Sequence, residues 1–145
     1  MLAVIQRVNF AKVTVSNQTV GEIKKGILAL IGIKKADNTS NAERLIERIL
    51  TYRIFEDADD KMNLSIKDIS GGLLLVPQFT IVADTKSGTR PGFSTAMEPD
   101  ASSKLFNYLV NNAKQKYSDV ASGQFGANMQ VSLCNDEPVT FILET

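Results

Sequence analysis

The chain contains no histidine. That absence removes Ser-His-Asp and Cys-His nucleophile systems and the common zinc sites together. Tryptophan is also missing, and there is one cysteine, Cys134. A lone thiol forms no intrachain disulfide and no Cys-rich metal centre, and it suits a reducing compartment. The acids show no paired ligand spacing, so the sequence predicts neither a metal nor any other cofactor. An excess of charge of either sign is lacking as well: 16 Lys and Arg balance 16 Asp and Glu, for a formal net charge of zero. Whole-molecule attraction to nucleic acid is therefore absent, and an RNA contact has to come from a local basic patch. No run approaches the ~18 apolar residues of a membrane span. Gln6 and Arg7 interrupt the first apolar residues, which is not a signal-peptide layout. These absences predict a cytoplasmic protein that makes no use of a membrane.

What is present is ordinary for a globular domain: 43% apolar and 22% charged residues in a chain of 145, enough for a substantial core. No repeat, low-complexity tract or linker divides it, so a single domain over residues 1–145 is expected. Leu2 to Val8 is strand-like. Lys12–Val15 and Thr19–Ile23 alternate around Asn17-Gln18 and predict a hairpin. Gly26 to Ile33 is nearly continuous aliphatic, as expected of a strand buried on both faces. Ser40 with Glu43 fits a capping box at the start of a helix carrying Leu45, Ile46, Ile49, Leu50 and Ile54. Met62–Leu64 predicts a short strand, and a second helix is expected from near Asp100, with Leu105, Phe106, Leu109, Val110, Ala113 and Tyr117 as its inward stripe. Met129–Leu133 and Val139–Leu143 close the chain as strands. The fold class is α/β: mixed β-sheets with two helices packed on them.

The most informative run is Leu73 to Asp84. Its apolar residues predict a buried strand, broken at Pro77 by Gln78, Phe79 and Thr80 before Ile81-Val82 resume the pattern. Proline lacks a ladder donor and belongs at a strand end, edge or bulge, and bulges re-aim side chains toward sites. Thr80 has no histidine base, and a threonine nucleophile ordinarily relies on an adjacent base such as an N-terminal amine. Backbone amides freed at the Pro77 irregularity are the stronger candidates, because they can hold a developing oxyanion without titrating. Asp84 reads as a turn former beside Lys86 and Arg90, whose loop is the best candidate for phosphate contact. Phe125 and Met129, four apart around Gly126, fit either core packing or the two sides of a purine.

Taken together, Pro77-Gln78-Phe79-Thr80, the loop Gly88-Thr89-Arg90-Pro91-Gly92-Phe93 and the ending Asn135-Asp136-Glu137-Pro138-Val139-Thr140 resemble the D-aminoacyl-tRNA deacylase family. Ile5-Gln6-Arg7-Val8, Tyr52-Arg53-Ile54-Phe55 and Lys61-Met62-Asn63 extend the resemblance over essentially the whole chain, in order. It implies a barrel-like fold and a cytoplasmic homodimer that hydrolyses the ester between a D-amino acid and tRNA, also removes mischarged glycine, and uses no metal. Gln78, Phe79 and Thr80 match the segment lining the aminoacyl pocket. Glu137-Pro138 match a cis dipeptide that enters the partner's pocket, where its main chain excludes L-amino acids, and Arg7 matches the arginine that helps hold it. Phe125 and Met129 match contacts to the terminal adenine. For the position of Thr80 the family offers two mechanisms, a threonine nucleophile or activation by the tRNA's own 2′-hydroxyl. The missing histidine favours the second.

Two positions depart from the family's pattern: Pro77 stands where serine is usual, and Glu137 where glycine is. Pro77 has no N–H, so it cannot donate to an oxyanion. Glu137 adds a Cβ, a longer side chain and a charge at a position where glycine's conformational freedom is used. A side chain turned outward preserves a main-chain filter; one turned inward crowds the pocket or pairs with the substrate's α-ammonium. These departures motivate the alternative function, a catalytically weakened relative that binds tRNA or another partner.

Overall fold

The computed structural model describes residues 1–145. In chain order it has β1 (Leu2–Val15), β2 (Gln18–Ile23), β3 (Gly26–Gly32), α1 (Thr39–Thr51), β4 (Phe55–Glu56), β5 (Met62–Leu64) and α2 (Ile66–Ile69). There follow β6 (Gly72–Pro77), a 3-10 turn (Phe79–Val82), α3 (Pro99–Lys116), β7 (Val120–Ser122) and β8 (Met129–Glu144).

β1 organises the sheet. It pairs antiparallel with β2, β3 and β8, while β3, β6 and β7 run parallel to one another in the order β2-β1-β3-β6-β7. At Gly21 of β2 an added Cβ would lie 2.6 Å from the Ser122 carbonyl oxygen of β7. This close approach nearly closes the mixed sheet into a barrel.

The sequence predicts two strands between Leu2 and Val15, but the structure has one. Along β1 the inward alternation slips: Arg7 and Val8 are both buried, and Asn9 and Phe10 are both exposed. A one-residue slip sends the following side chains to the other face. Ala3 and Ile5 accordingly join the larger core, whereas Val8, Ala11 and Val13 join a smaller one. β3 and β6 lie between the cores. Ile27, Ala29 and Ile31 face one core and Leu28 the other, with Leu73 and Leu75 set against Leu74 and Val76 in the same way. Two-sided burial explains their unbroken aliphatic runs.

Helices α1 and α3 cover the larger core with Leu45, Ile46, Ile49 and Leu50 and with Leu105, Phe106, Leu109 and Val110. Each such side chain contributes about 1.5–3 kcal/mol on burial. The helix starts differ from the expectation. Asn38 caps α1, accepting from the amides of Ser40 and Asn41, and its own amide donates to the Asn41 side-chain oxygen at 2.9 Å. Asparagine serves both capping roles that serine and glutamate were expected to fill. At α3 the cap is Glu98 and Pro99 occupies the first turn, where its missing N–H costs nothing. The third helix, α2, is a single turn capped by Ser65 and Asp68, too short to show a helical period. No helix is long and apolar enough to cross a membrane.

Candidate active site

β6 stops where the run of buried residues stops. Pro77 pairs with Ile31 of β3 but cannot donate, and the next amide, Gln78, donates to the Ile31 carbonyl at 2.7 Å. The chain then tightens into i→i+3 bonds, Ile81 to Gln78 at 3.3 Å and Ala83 to Thr80 at 3.2 Å. The expected resumption of strand at Ile81-Val82 is thus a 3-10 turn, and Pro77 marks a strand end rather than a bulge. The first N–H groups of such a turn have no acceptor within it. Those of Phe79 and Thr80 take part in none of the turn and loop hydrogen bonds of the backbone. The Gln78 side-chain amide donates to the Thr80 hydroxyl at 2.5 Å. No Lys or Arg side chain hydrogen-bonds that hydroxyl, and Thr80 is exposed.

A cavity of about 500 Å³ opens beside this turn. Pro77, Gln78 and Phe79 line it together with Phe125 and Met129, while Thr80, expected in the same site, lies just beyond the lining. Phe125 rests on Phe106 of α3, ring centroids 6.2 Å apart. The Gln124 amide points at the Met129 sulfur at 3.4 Å. Gly123 makes room for that thioether, since a Cβ there would come within 2.8 Å of the sulfur. The structure therefore brings together two groups of residues separated by about fifty positions of sequence.

Arg7, Glu137 and Pro138 do not line this cavity. They form a second cluster on the β1–β8 ladder. Gln6 pairs with Thr140 and Val8 with Asn135, so β1 spends only Arg7 while β8 spends Asp136 to Val139. The surplus residues project from the sheet, and the bond between Glu137 and Pro138 is cis. Met129–Leu133 and Val139–Leu143, expected as separate strands, belong to one strand interrupted by this projection. Arg7 is 3% exposed, and its guanidinium donates to the Ile54 carbonyl at 2.8 Å. It lies 3.0 Å from Asp136, 3.3 Å from Glu137 and 3.9 Å from Glu56. The Arg7 Nε hydrogen is not aimed at Asp136, so that contact is an ion pair rather than a directed hydrogen bond. Glu137 thus turns neither freely outward nor into the cavity of its own chain. Its carboxylate folds back on Arg7, with φ at +89°.

Lys86 and Arg90 lie exposed in the loop between Asp84 and Gly92, whose backbones pair at 2.8 and 2.9 Å. Asp84 accepts from the Lys86 amide at 3.0 Å, the expected turn role. Three contributors escaped the sequence reading: Asp136 and Glu56 around Arg7, and Gly123 beneath Met129. Only the glycine had a signal, as the small residue opening the Phe125 segment. A shallower depression of about 470 Å³ bordered by Arg48, Tyr52, Arg53 and Phe141 contains none of the residues expected to form the site.

The family model described as D-Tyr-tRNA(Tyr) deacylase matches residues 4–144. The chain belongs to this family. It is 52% identical over 145 residues to the D-aminoacyl-tRNA deacylase of Pseudomonas fluorescens (strain Pf0-1), covering 100% of both chains. With the D-aminoacyl-tRNA deacylase of Pseudoalteromonas translucida (strain TAC 125) it shares 55% identity over 143 residues, 99% of each. Among solved structures, the c-Myc DNA unwinding element binding protein superposes with a TM-score of 0.95 at 36% identity, over 100% of this chain and 99% of that one. A probable eukaryotic D-amino acid tRNA deacylase superposes with a TM-score of 0.86 over 99% of this chain and 98% of that one; at 15% identity this likeness concerns the fold alone.

Proposed function

We propose that this chain hydrolyses the ester joining a D-amino acid to the 3′ end of tRNA, releasing free D-amino acid and tRNA as an editing step of translation in the cytoplasm. One observation carries the reading: a single cavity joins an aromatic and thioether wall of purine character to a strand end where Phe79, its amide unpaired, is the last lining residue before Thr80. In this proposal Phe125 and Met129 hold the terminal adenine. The amides of Phe79 and Thr80 hold the ester carbonyl oxygen as it gains charge, a contribution typically worth 10²–10³ in rate per donor, about 2.7–4 kcal/mol. Water attacks the carbonyl carbon with the neighbouring ribose 2′-hydroxyl assisting its deprotonation. The bond to the ribose 3′-oxygen then breaks, and that oxygen takes the proton. Gln78 orients the Thr80 hydroxyl, which is not the nucleophile because no base is hydrogen-bonded to it. Lys86 and Arg90 meet backbone phosphates.

The filter comes from a second copy. The Asp136–Val139 projection of one subunit enters its partner's cavity, Glu137 and Pro138 face the substrate Cα through their main chain, and Arg7 holds the root of the projection. Supporting this, the projection lies outside the cavity of its own chain, and the Glu137 carboxylate is drawn to 3.3 Å from Arg7. Glycine, having no side chain, passes the same filter, so mischarged glycyl-tRNA is a second substrate.

The test is release of D-tyrosine and of L-tyrosine from charged tRNA. D-specific release is expected; equal release of both overturns the filter, and release of neither overturns the hydrolase in favour of a binding-only relative. In the same assay Thr80→Ala should keep kcat within about tenfold of the parent. A fall of about a millionfold, the scale on which an essential nucleophile is lost, would return the chemistry to its hydroxyl.

A further inference from the structure

Two phenylalanines are left in water beside the cavity. Phe79 is 55% exposed and Phe93 42%, and their rings pack on each other with centroids 5.1 Å apart at a tilt of 52°. Adjacent exposed aromatic surface of this kind marks a contact site more often than isolated apolar residues do. Its position is informative. Phe79 lines the cavity together with Phe125 and Met129, whereas Phe93 lies outside the cavity lining. A strand leaving the cavity across Phe79 therefore meets Phe93 next.

The segment joining the two rings has the charge such a strand needs. Between the rings it carries two cations, Lys86 and Arg90, against one acid, Asp84, whose carboxylate accepts from the Lys86 backbone amide at 3.0 Å. Neither cation is in an ion pair; those of the structure engage Arg7, Lys34, Lys116 and the N-terminal amine. The backbone pairing of Asp84 with Gly92 closes the loop, holding Phe93 next to the turn that carries Phe79. Unpaired cations beside an exposed aromatic pair are the combination by which single strands are held without sequence readout.

We propose that Phe79 and Phe93 form a stacking platform for a second nucleobase, that of the nucleotide preceding the terminal adenosine, whose phosphate is met by Lys86 and Arg90. The inference rests on the deacylase reading and deepens it: the chain grips the unpaired end of its RNA at two bases rather than one.

The experiment compares two small esters, D-tyrosyl-adenosine and D-tyrosyl-CCA trinucleotide, with the parent, Phe93→Ala and Phe93→Tyr. The parent should show a KM about tenfold lower for the trinucleotide, the scale of one stacked base. Phe93→Ala should erase that preference while leaving KM and kcat for the adenosine ester unchanged, and Phe93→Tyr should retain it. Equal turnover of both esters by the parent overturns the platform, as does an equal loss on both in Phe93→Ala. A change of oligomeric state in Phe93→Ala on size-exclusion chromatography would likewise overturn it, assigning the ring to a contact between copies. If the parent hydrolyses neither ester nor intact D-tyrosyl-tRNA, it is the deacylase reading that fails. The platform is then read by binding of unesterified CCA against adenosine, with the same preference for CCA expected and its absence overturning the proposal.

Discussion

Glu137 is the residue whose local chemistry is most at odds with its backbone. At φ +89° it occupies the region open to glycine but costly to residues with a Cβ. It stays there with its carboxylate 3.3 Å from the buried Arg7 cation. Strain and attraction can be separated by two substitutions. Glu137→Ala and Glu137→Gly both remove the carboxylate, but only glycine relieves the Cβ, worth about 1–2 kcal/mol, against about 0.4–1 kcal/mol of added unfolded-state freedom. Glu137→Gly should therefore be about 0.5–1 kcal/mol more stable than Glu137→Ala in denaturant unfolding; the reverse order would show that no strain is held there. This position was legible only through family resemblance. Nothing in the run Asn135-Asp136-Glu137-Pro138 announces that four residues of β8 oppose a single arginine, because register is set by pairing across the sheet rather than by local sequence.

Among the elements, the short ones decide the site. The end of β6 at Pro77 and the 3-10 turn after it aim Phe79 and Thr80, while the segment between β7 and β8 supplies Phe125 and the first residue of β8 is Met129. Gly123 couples the two, its amide donating to the Leu75 carbonyl of β6 at 2.8 Å while its bare Cα admits the Met129 sulfur. Gly123→Ala should push Met129 into the cavity, destabilise the fold by about 1–3 kcal/mol as overpacking does, and raise KM for D-aminoacyl-tRNA more than it lowers kcat. An unchanged KM would detach Met129 from adenine binding. Long elements were legible: α1, α3, β3 and β6 stand where their apolar periods put them, because burial on one or both faces leaves a repeating mark. Helix α1, though, ends at Thr51, and the buried Ile54 expected on it lies past its end. The two-residue β4, the three-residue β7 and the one-turn α2 leave none, although β5 stands at Met62–Leu64 as expected. The turn after Pro77 was mistaken for continuing strand because Ile81-Val82 are apolar in either conformation.

For the molecule as a whole, the lack of histidine has a thermodynamic counterpart. Asp57 is held below the usual carboxylate range by its hydrogen bond from the Asn63 side chain, Asp68 by bonds from Ser65, and Glu144 by its bond from Lys34. Each adds stability above the unfolded carboxylate value of about 4 and loses it as pH falls through the folded one. Tyr117, raised by burial and then by Asp119, and Tyr108, raised by its bond to Glu43, add stability that is lost as pH rises past about 10. The melting temperature should therefore be flat between about pH 5 and pH 9 and fall outside that window; a step near pH 6–7 would contradict this. The architecture also bears on how the chain reaches this state. Leu2 pairs with Glu144 and Val15 with Met129, so the longest ladder in the protein joins segments from opposite ends of the chain. Such non-local pairings form slowly, because loop closure must precede any gain from contact. On the ribosome β1 is synthesised first and has to wait for β8, presenting an open row of amides and carbonyls to any neighbouring nascent chain until the last strand emerges to cover it.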